Sequence, residues 1–499
     1  MTMEEVLEGM PEGSPEIDLQ TVKGRAIKGV VALTGRTFLL QIVSFFGFFL
    51  LTVFLGTAEI GLFFAISELV AILGYFSDIG LAAALIQKKE KPDIKDIRST
   101  FTIQQGLVLT LVALIFLLTP FLRGFYEISS AGVWLLWALT FGFFFASLKT
   151  IPSVLLERKL RFDLLVVVEI VEALLFYGIA VFLAWQGWGV LSYALAVFVR
   201  GMAGVILIYI LSPWKIGFAF EKKSLKRLLK FGVPYQANTF LAVVKDRLMN
   251  VFLWKIIGAE GVGILGWAQK WAQMPLRFIM DSVMKVTFPA YSRMQTDKEE
   301  LRKAIEKTIY FVSLLTFPML VGIALLAGPL VKIIPRYQKW EIALIALSFY
   351  IINSAWASVT TPLTNALAAV GRIKIVFKLM VMWTILTWVF YPLLAIKYGY
   401  NGVALGAALV ATSSVVAIYL AQKYLHFSFW AGIKKPLMAT IIMGVIVWVL
   451  KEFLPGNLLG LISLILAGGL TYLGSMWLLV GQELIVDGKR FLKALRRGK

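Results

Sequence analysis

Seven charged side chains stand where a chain this apolar should carry none. The stretches 230–257 and 261–290 are otherwise hydrophobic and long enough to cross a bilayer, yet they hold Lys245, Asp246, Arg247, Lys270, Arg277, Asp281 and Lys285. A charge at the bilayer centre costs roughly 3 kcal/mol on insertion scales, so such groups face a protein interior or a wet cavity. Lys270, Arg277, Asp281 and Lys285 follow one another at intervals of 7, 4 and 4 residues. At 3.6 residues per turn all four project from one helical stripe. Arg277 falls near mid-depth, where a guanidinium grips phosphate oxygens bidentately. Asp281, one turn on, can orient Arg277 and Lys285. On the other stretch Lys245 and Arg247 bracket Asp246, with Asn238 and Asn250 nearby as partners for sugar hydroxyls. Residues 245–247 are consecutive, so at least one of them points away from a shared cavity. This chemistry fits an anionic cargo.

The first half of the chain is charged differently. Its hydrophobic stretches hold Arg36, Lys149 and Arg200 against Glu68, Asp78, Glu169 and Glu172, a balance of −1. The second half holds six basic residues, Lys255 included, against Asp246 and Asp281, a balance of +4. The second half is therefore expected to supply most of the grip on an anion. Arg36 and Arg200 are the first-half residues best placed to reach the same cavity. Glu68, Asp78, Asp246 and Asp281 are candidates for ion coupling or charge pairing. Lys149 and Lys255 sit near span ends and fit snorkelling to the headgroups. Glu169 and Glu172 fit salt bridging to Lys149 or a cytoplasmic arginine, or cavity lining. Trp254, Trp267 and Trp271 fit packing better than stacking on sugars.

The elements that must position these groups are membrane helices. The 499 residues are 59% hydrophobic with a mean hydropathy of +0.83, and runs of about 20 apolar residues each suffice to cross ~30 Å of hydrocarbon. The fold class expected is an all-α polytopic membrane protein of fourteen helices: 29–55, 61–87, 99–122, 130–152, 164–186, 190–212, 230–257, 261–290, 308–331, 342–368, 375–396, 402–422, 436–453 and 457–480. Expected domains are an acidic start and amphipathic lead-in (1–28), a first six-helix lobe (29–212) and a basic linker (213–229). A second lobe (230–425), two accessory helices (426–480) and a basic tail (481–499) follow. The first 20 residues are acidic, so the first helix is expected to act as an uncleaved signal anchor.

Basic residues orient the bundle. With the amino terminus inside, the cytoplasmic connections and tails hold 34 Lys and Arg and the outer connections 6. Both termini are therefore expected to be cytoplasmic, in the cell inner membrane. The same asymmetry accounts for the net charge of +20 through contact with an anionic leaflet, with no nucleic acid needed. Cysteine is absent and His426 is the sole histidine, which excludes disulfides, thiolate or histidine metal sites and a conventional catalytic triad. No Walker-type phosphate loop occurs.

An internal repeat adds a symmetry. Leu55–Leu62 (LGTAEIGL) resembles Ile257–Ile264 (IGAEGVGI) at a shift of 202 residues, each at the outer turn of a helical hairpin. Six helices separate the copies, so the halves share one orientation and a substrate path between them is expected near the midplane.

Several motifs are similar to those of one known family. Phe76-Ser77-Asp78-Ile79-Gly80-Leu81 with Ala84-Leu85-Ile86-Gln87, Pro152…Leu156-Glu157-Arg158…Arg161-Phe162, and Gly187-Trp188-Gly189-Val190 come first. Phe231-Gly232-Val233-Pro234, Pro275, Phe288-Pro289-Ala290-Tyr291-Ser292, Pro362, Asn365-Ala366-Leu367 and Gly371-Arg372 complete the series. Over roughly residues 25–430, in order and spacing, these resemble the bacterial polysaccharide (Wzx-type, O-antigen or exopolysaccharide) flippases of the multidrug/oligosaccharidyl-lipid/polysaccharide exporter superfamily. The resemblance implies two six-helix lobes opening alternately, and translocation of an undecaprenyl-pyrophosphate-linked oligosaccharide from the inner to the outer leaflet. It implies a secondary transporter that is not an enzyme, with no cofactor and with H+ or Na+ as open choices for coupling. Its expected partners are membrane lipids, a polysaccharide polymerase and glycosyltransferases, around a monomer.

Other classes fit less well. A multidrug exporter of the same superfamily would use carboxylates for cationic drugs, against the +4 second half. A lipid II flippase shares the helix number and cationic cavity and differs only in motif wording. A membrane glycosyltransferase or polymerase needs a sizeable outer loop, and the longest here is about ten residues, 332–341.

Overall fold

The computed structural model describes residues 19–78, 80–88, 92–221 and 243–481, and side chains for all of these except residues 19–34, 76, 78, 281 and 282. Asn238, the outer parts of the expected linker and tail, and the side chains of Asp78 and Asp281 therefore lie outside the described residues. The helices are α1 (Leu19–Phe54), α2 (Thr57–Asp78), the short α3 (Leu81–Gln87), α4 (Ile94–Tyr126), α5 (Ser130–Arg158), α6 (Phe162–Trp185) and α7 (Leu191–Leu211). A π-helical turn (Val243–Leu248) then leads into α8 (Met249–Arg293), followed by α9 (Lys298–Ile333), α10 (Leu344–Ala369), α11 (Ile373–Thr412), α12 (Ser414–Leu425), α13 (Phe429–Phe453) and α14 (Leu458–Val480).

Among the described residues, twelve continuous helical segments are long and apolar enough to cross a membrane. Two of them are pairs of helices merged at a glycine. α8 breaks at Gly258 (φ 70°, ψ 176°), and α11 breaks at Gly399 (φ 59°, ψ −141°) before running on into α12. Both backbones lie where an L side chain is strained and glycine is not. Counting each pair as two gives the fourteen spans expected, and the chain is an all-α multi-pass membrane protein.

Contacts divide the chain into two compact units, Met1–Gly263 and Ile264–Lys499. The repeat places 243–263 at the start of the second half, whereas compactness groups it with the first. In the first unit α1 packs along α6, and α5 and α6 both pack along α7. Ser44 and Tyr177 share a 2.8 Å hydrogen bond across the α1–α6 contact. Helix starts carry side-chain caps where water is scarce: the Ser129 hydroxyl accepts from Gly132 N at 3.2 Å, and Glu59 accepts from Gly56 N at 2.6 Å. Glu59 also lies against Gly189, in a turn whose glycines have φ 86° and 55°, so a side chain there would strike the cap. That explains the Gly-Trp-Gly turn. Arg158 donates to three carbonyls at the end of α3, Leu85, Ile86 and Lys88, at 2.7 to 3.0 Å. The motifs ending at Gln87 and containing Arg158 are thus two halves of one helix cap.

The two copies of the repeat meet within this unit. A side chain at Gly61 would collide with the Ala259 carbonyl and the Gly263 amide. One at Gly263 would collide with the Thr57 carbonyl and the Gly61 amide. Thr57 corresponds to Ala259 and Gly61 to Gly263 at the 202-residue shift, so the contact is reciprocal, as a two-fold relation requires. Thr57 Oγ1 also donates to Glu260 at 3.3 Å.

In the second unit α9 packs on α13, and the accessory pair α13–α14 shares a core of Ala439, Met443, Val447, Leu464, Tyr472 and Met476. Tyr472 ties α14 to α9 by donating to Leu314 O at 2.7 Å. Trp267 is fully buried, stacks on Trp340 at 5.3 Å and donates to Tyr337 Oη at 3.0 Å. Trp254, in the first unit, stacks on Tyr126 at 4.2 Å and is equally buried. Both indoles are packing groups.

Candidate functional site

The span-embedded charges of the first unit are gathered into ion pairs. Glu169 and Glu172 lie three residues apart on α6 and so emerge on one side of it. Arg36 of α1 pairs with Glu169. Glu172, only 5% exposed, pairs with Lys149 of α5, and Arg200 of α7 approaches its other oxygen at 3.9 Å while lying over the Phe176 ring. Gly204, one turn beyond Arg200, leaves the space that the Glu172 carboxylate fills. A buried charge is tolerable only when paired and hydrogen-bonded, and here three cations surround two carboxylates. Lys149, although near a span end, pairs inside the bundle instead of snorkelling.

The π-helical turn presents the next group. Arg247 Nη1 donates to Glu68 of α2 at 3.0 Å, and Lys245 pairs with its neighbour Asp246 at 3.2 Å. Glu68 and Arg247 are 179 residues apart in sequence, yet belong to the same compact unit. Asn250 follows one turn later and is half-buried. Lys255 lies at the other end of this helix, where it donates to Phe125 O at 2.7 Å and stands 3.8 Å from Glu127. It serves the end of α4.

The second arm of α8, residues 259–293, carries the remaining cations. Lys270 is half-buried, and Arg277 and Lys285 are exposed. Arg277 Nη2 donates to Gln273 Oε1 at 3.2 Å, one turn back on the same face, as the stripe spacing requires. Among the described residues, no carboxylate pairs with Arg277 or Lys285. Further along, Asn365 donates to Thr287 Oγ1 at 3.4 Å and Tyr291 to Thr308 Oγ1 at 2.7 Å. Two of the shared motifs therefore join α8 to α10 and α9. Among the described residues there is no cluster of His, Cys, Asp and Glu suited to a metal ion.

The structure thus brings Arg36, Arg200, Arg247 and Glu68 into ion pairs, leaves Arg277 and Lys285 without a carboxylate partner among the described residues, and sets Lys270 between the two groups along the chain. The sequence offers the Lys149 pairing as one alternative for Glu172, but not Arg200 as the third member of this triad. Its signal was the Glu169/Glu172 spacing together with a small residue, Gly204, one turn after Arg200.

The family model described as polysaccharide biosynthesis protein matches residues 50–344. The teichuronic acid biosynthesis protein TuaB of Bacillus subtilis is 22% identical over 74% of this chain and 77% of its own length. The lipopolysaccharide biosynthesis protein WzxC of Escherichia coli is 25% identical over 72% and 73%. The succinoglycan biosynthesis transport protein ExoT of Rhizobium meliloti is 23% identical over 64% and 65%. A lipid II flippase, MurJ, in an inward closed conformation shares the fold, with a TM-score of 0.69 at 17% identity over 91% of this chain and all of that one. An inward-facing multidrug resistance transporter of the MOP superfamily aligns at a TM-score of 0.56 and 16% identity over 80% and 98%. Fold, motifs and family match converge: the chain belongs to the polysaccharide biosynthesis protein family and is similar to its Wzx-type members.

Proposed function

We propose that this protein is a flippase that carries a polyprenyl-pyrophosphate-linked oligosaccharide from the inner to the outer leaflet of the cell inner membrane by alternating access, with both termini cytoplasmic. The observation that carries this reading is Arg277. It is a guanidinium in a membrane-crossing helix, exposed, held by a neutral amide and without a carboxylate partner among the described residues. Leaving a cation so placed is costly unless an anion visits it. A pyrophosphate offers the paired oxygens that a guanidinium fork grips. The names of the relatives, concerned with teichuronic acid, lipopolysaccharide and succinoglycan, support a glycan as the rest of the cargo.

In this reading Arg277 is the principal phosphate ligand and Lys270 and Lys285 flank it on the stripe. Arg247 is a second ligand, released from Glu68 when the substrate arrives. Lys245, Arg36 and Arg200 complete the positive field, and Asn238 and Asn250 meet sugar hydroxyls. Glu68, Asp78, Asp246 and Asp281 are the carboxylates available to couple transport to H+ or Na+. The protein acts as a secondary transporter without enzymatic chemistry or a cofactor. It works as a monomer beside the glycosyltransferases and polymerase that make and consume its cargo.

Vesicles reconstituted with the purified chain test this. A fluorescent polyprenyl-pyrophosphate oligosaccharide should cross the bilayer faster than in protein-free vesicles, and a cationic drug should not. Drug transport without glycolipid movement would overturn the reading.

A further inference from the structure

The chain leaves α7 at Leu211 and runs extended from residue 213 to residue 221 across the first turns of α4. Two hydroxyls hold it there. Ala219 N donates to Thr102 Oγ1 and Glu221 N to Ser99 Oγ, each at 3.1 Å. Between them and the preceding turn, Gly217 rests on the Arg98 guanidinium so closely that a side chain would collide with it. Extended backbone sends alternate side chains to opposite faces. Gly217, Ala219 and Glu221 therefore sit toward α4. Ile216, Phe218 and Phe220 are 53%, 73% and 69% exposed, with Phe218 keeping one side of its ring on Phe101 at 5.9 Å. Trp214 closes the near end against Phe101 at 5.1 Å.

Such a row is unusual outside the spans, and its setting identifies what covers it. Ser99 lies six residues past the Asp93 cap of α4, about 9 Å along the helix at 1.5 Å per residue. Interfacial segments lie about 5–10 Å deep, at the headgroup–acyl boundary. Exposed Lys215 stands within the strip, and the sequence continues with Lys222, Lys223, Lys226 and Arg227 on the side that the basic-residue asymmetry assigns to the cytoplasm. Apolar side chains flanked by cations match a bilayer surface carrying anionic headgroups.

We propose that residues 213–221 form an interfacial strap, clamped to α4 by Ser99 and Thr102, whose Ile216, Phe218 and Phe220 insert at the acyl boundary of an anionic leaflet while Lys215 takes its headgroups. The strap fixes the start of the linker between the two halves to the membrane surface. It does not depend on which cargo is carried.

The absence of native cysteine permits single-site spin labelling of the full-length chain in vesicles. Nitroxides at Ile216→Cys, Phe218→Cys and Phe220→Cys should collide with oxygen several-fold more than with a water-soluble nickel chelate, and the label at Glu299→Cys should show the opposite. Replacing phosphatidylcholine by an equal mixture with phosphatidylglycerol should deepen the strap labels, and Lys215→Gln should remove that response. Adding Ser99→Ala and Thr102→Val should erase the difference between position 218 and position 219. Chelate access at 216, 218 and 220 equal to that at 299 in both lipids would overturn the proposal. So would protection that develops only when another protein is added.

Discussion

Arg36 meets Glu169, Lys149 and Arg200 share Glu172, and Arg247 meets Glu68, all inside the first compact unit. Among the described residues of the second unit, Arg277 meets the side-chain amide of Gln273, and neither it nor Lys285 meets a carboxylate. The same residue types thus stand in two different settings. A cation with a fixed partner ties helices together, and its loss strands a buried carboxylate. In the proposed reading, a cation without one is kept for a ligand. Substitutions in the two units should therefore separate stability from transport.

The sharpest break should come at Glu172, because removing one member of a buried pair costs about 3–5 kcal/mol. Glu172→Gln leaves Lys149 and Arg200 facing each other, and the thermal midpoint of the purified protein in detergent should fall by several degrees. An unchanged midpoint would show that these charges do not hold the first unit together. Next in size is the glycine crossing of the repeat. Gly61→Val forces a side chain against the Ala259 carbonyl, an overpacking that costs about 1–3 kcal/mol. Gly263→Val should cost a similar amount, and the double variant should cost less than the sum, because both act on one contact. Full additivity in the same melts would separate the two copies.

The Arg247–Glu68 pair should give a smaller effect. Its side chains are 43% and 31% exposed, and such pairs contribute about 0–1 kcal/mol. A double-mutant cycle with Arg247→Gln and Glu68→Gln should show weak coupling in stability, yet Arg247→Gln should slow flipping far more than Glu68→Gln. Equal losses of transport would reduce Arg247 to a structural partner of Glu68.

Much of this contrast was legible in the sequence, and the reason is physical. Crossing a bilayer demands about 20 apolar residues per helix, so the fourteen spans and the intruding charges stand out from composition alone. Spacing along one helix is a local property, and Gln273 and Arg277, four residues apart, do meet. The excess positive charge of the second half was also countable, but pairing across helices was not. Glu68 and Arg247 come together over 179 residues, and no period in the sequence reports that contact. Compactness moves Arg247 and Lys245 out of the cationic group, which narrows the surplus to the second arm of α8. The Lys149–Glu172 pair was one of the alternatives the sequence offered, but Arg200 as the third member of that triad was hidden for the same reason. The repeat was visible as a short glycine-rich similarity. Its meaning came only from geometry, where Gly61 and Gly263 fill each other's missing side-chain space.

The central claim is that Arg277 serves the cargo and not the fold. It is tested by melting Arg277→Gln and wild-type protein side by side and then measuring, in vesicles, the transbilayer movement of a fluorescent polyprenyl-pyrophosphate oligosaccharide. A surface-like substitution changes stability by no more than about 0.5 kcal/mol, so the two melts should coincide while flipping by the variant falls to the protein-free rate. Coincident melts with undiminished flipping would contradict the account.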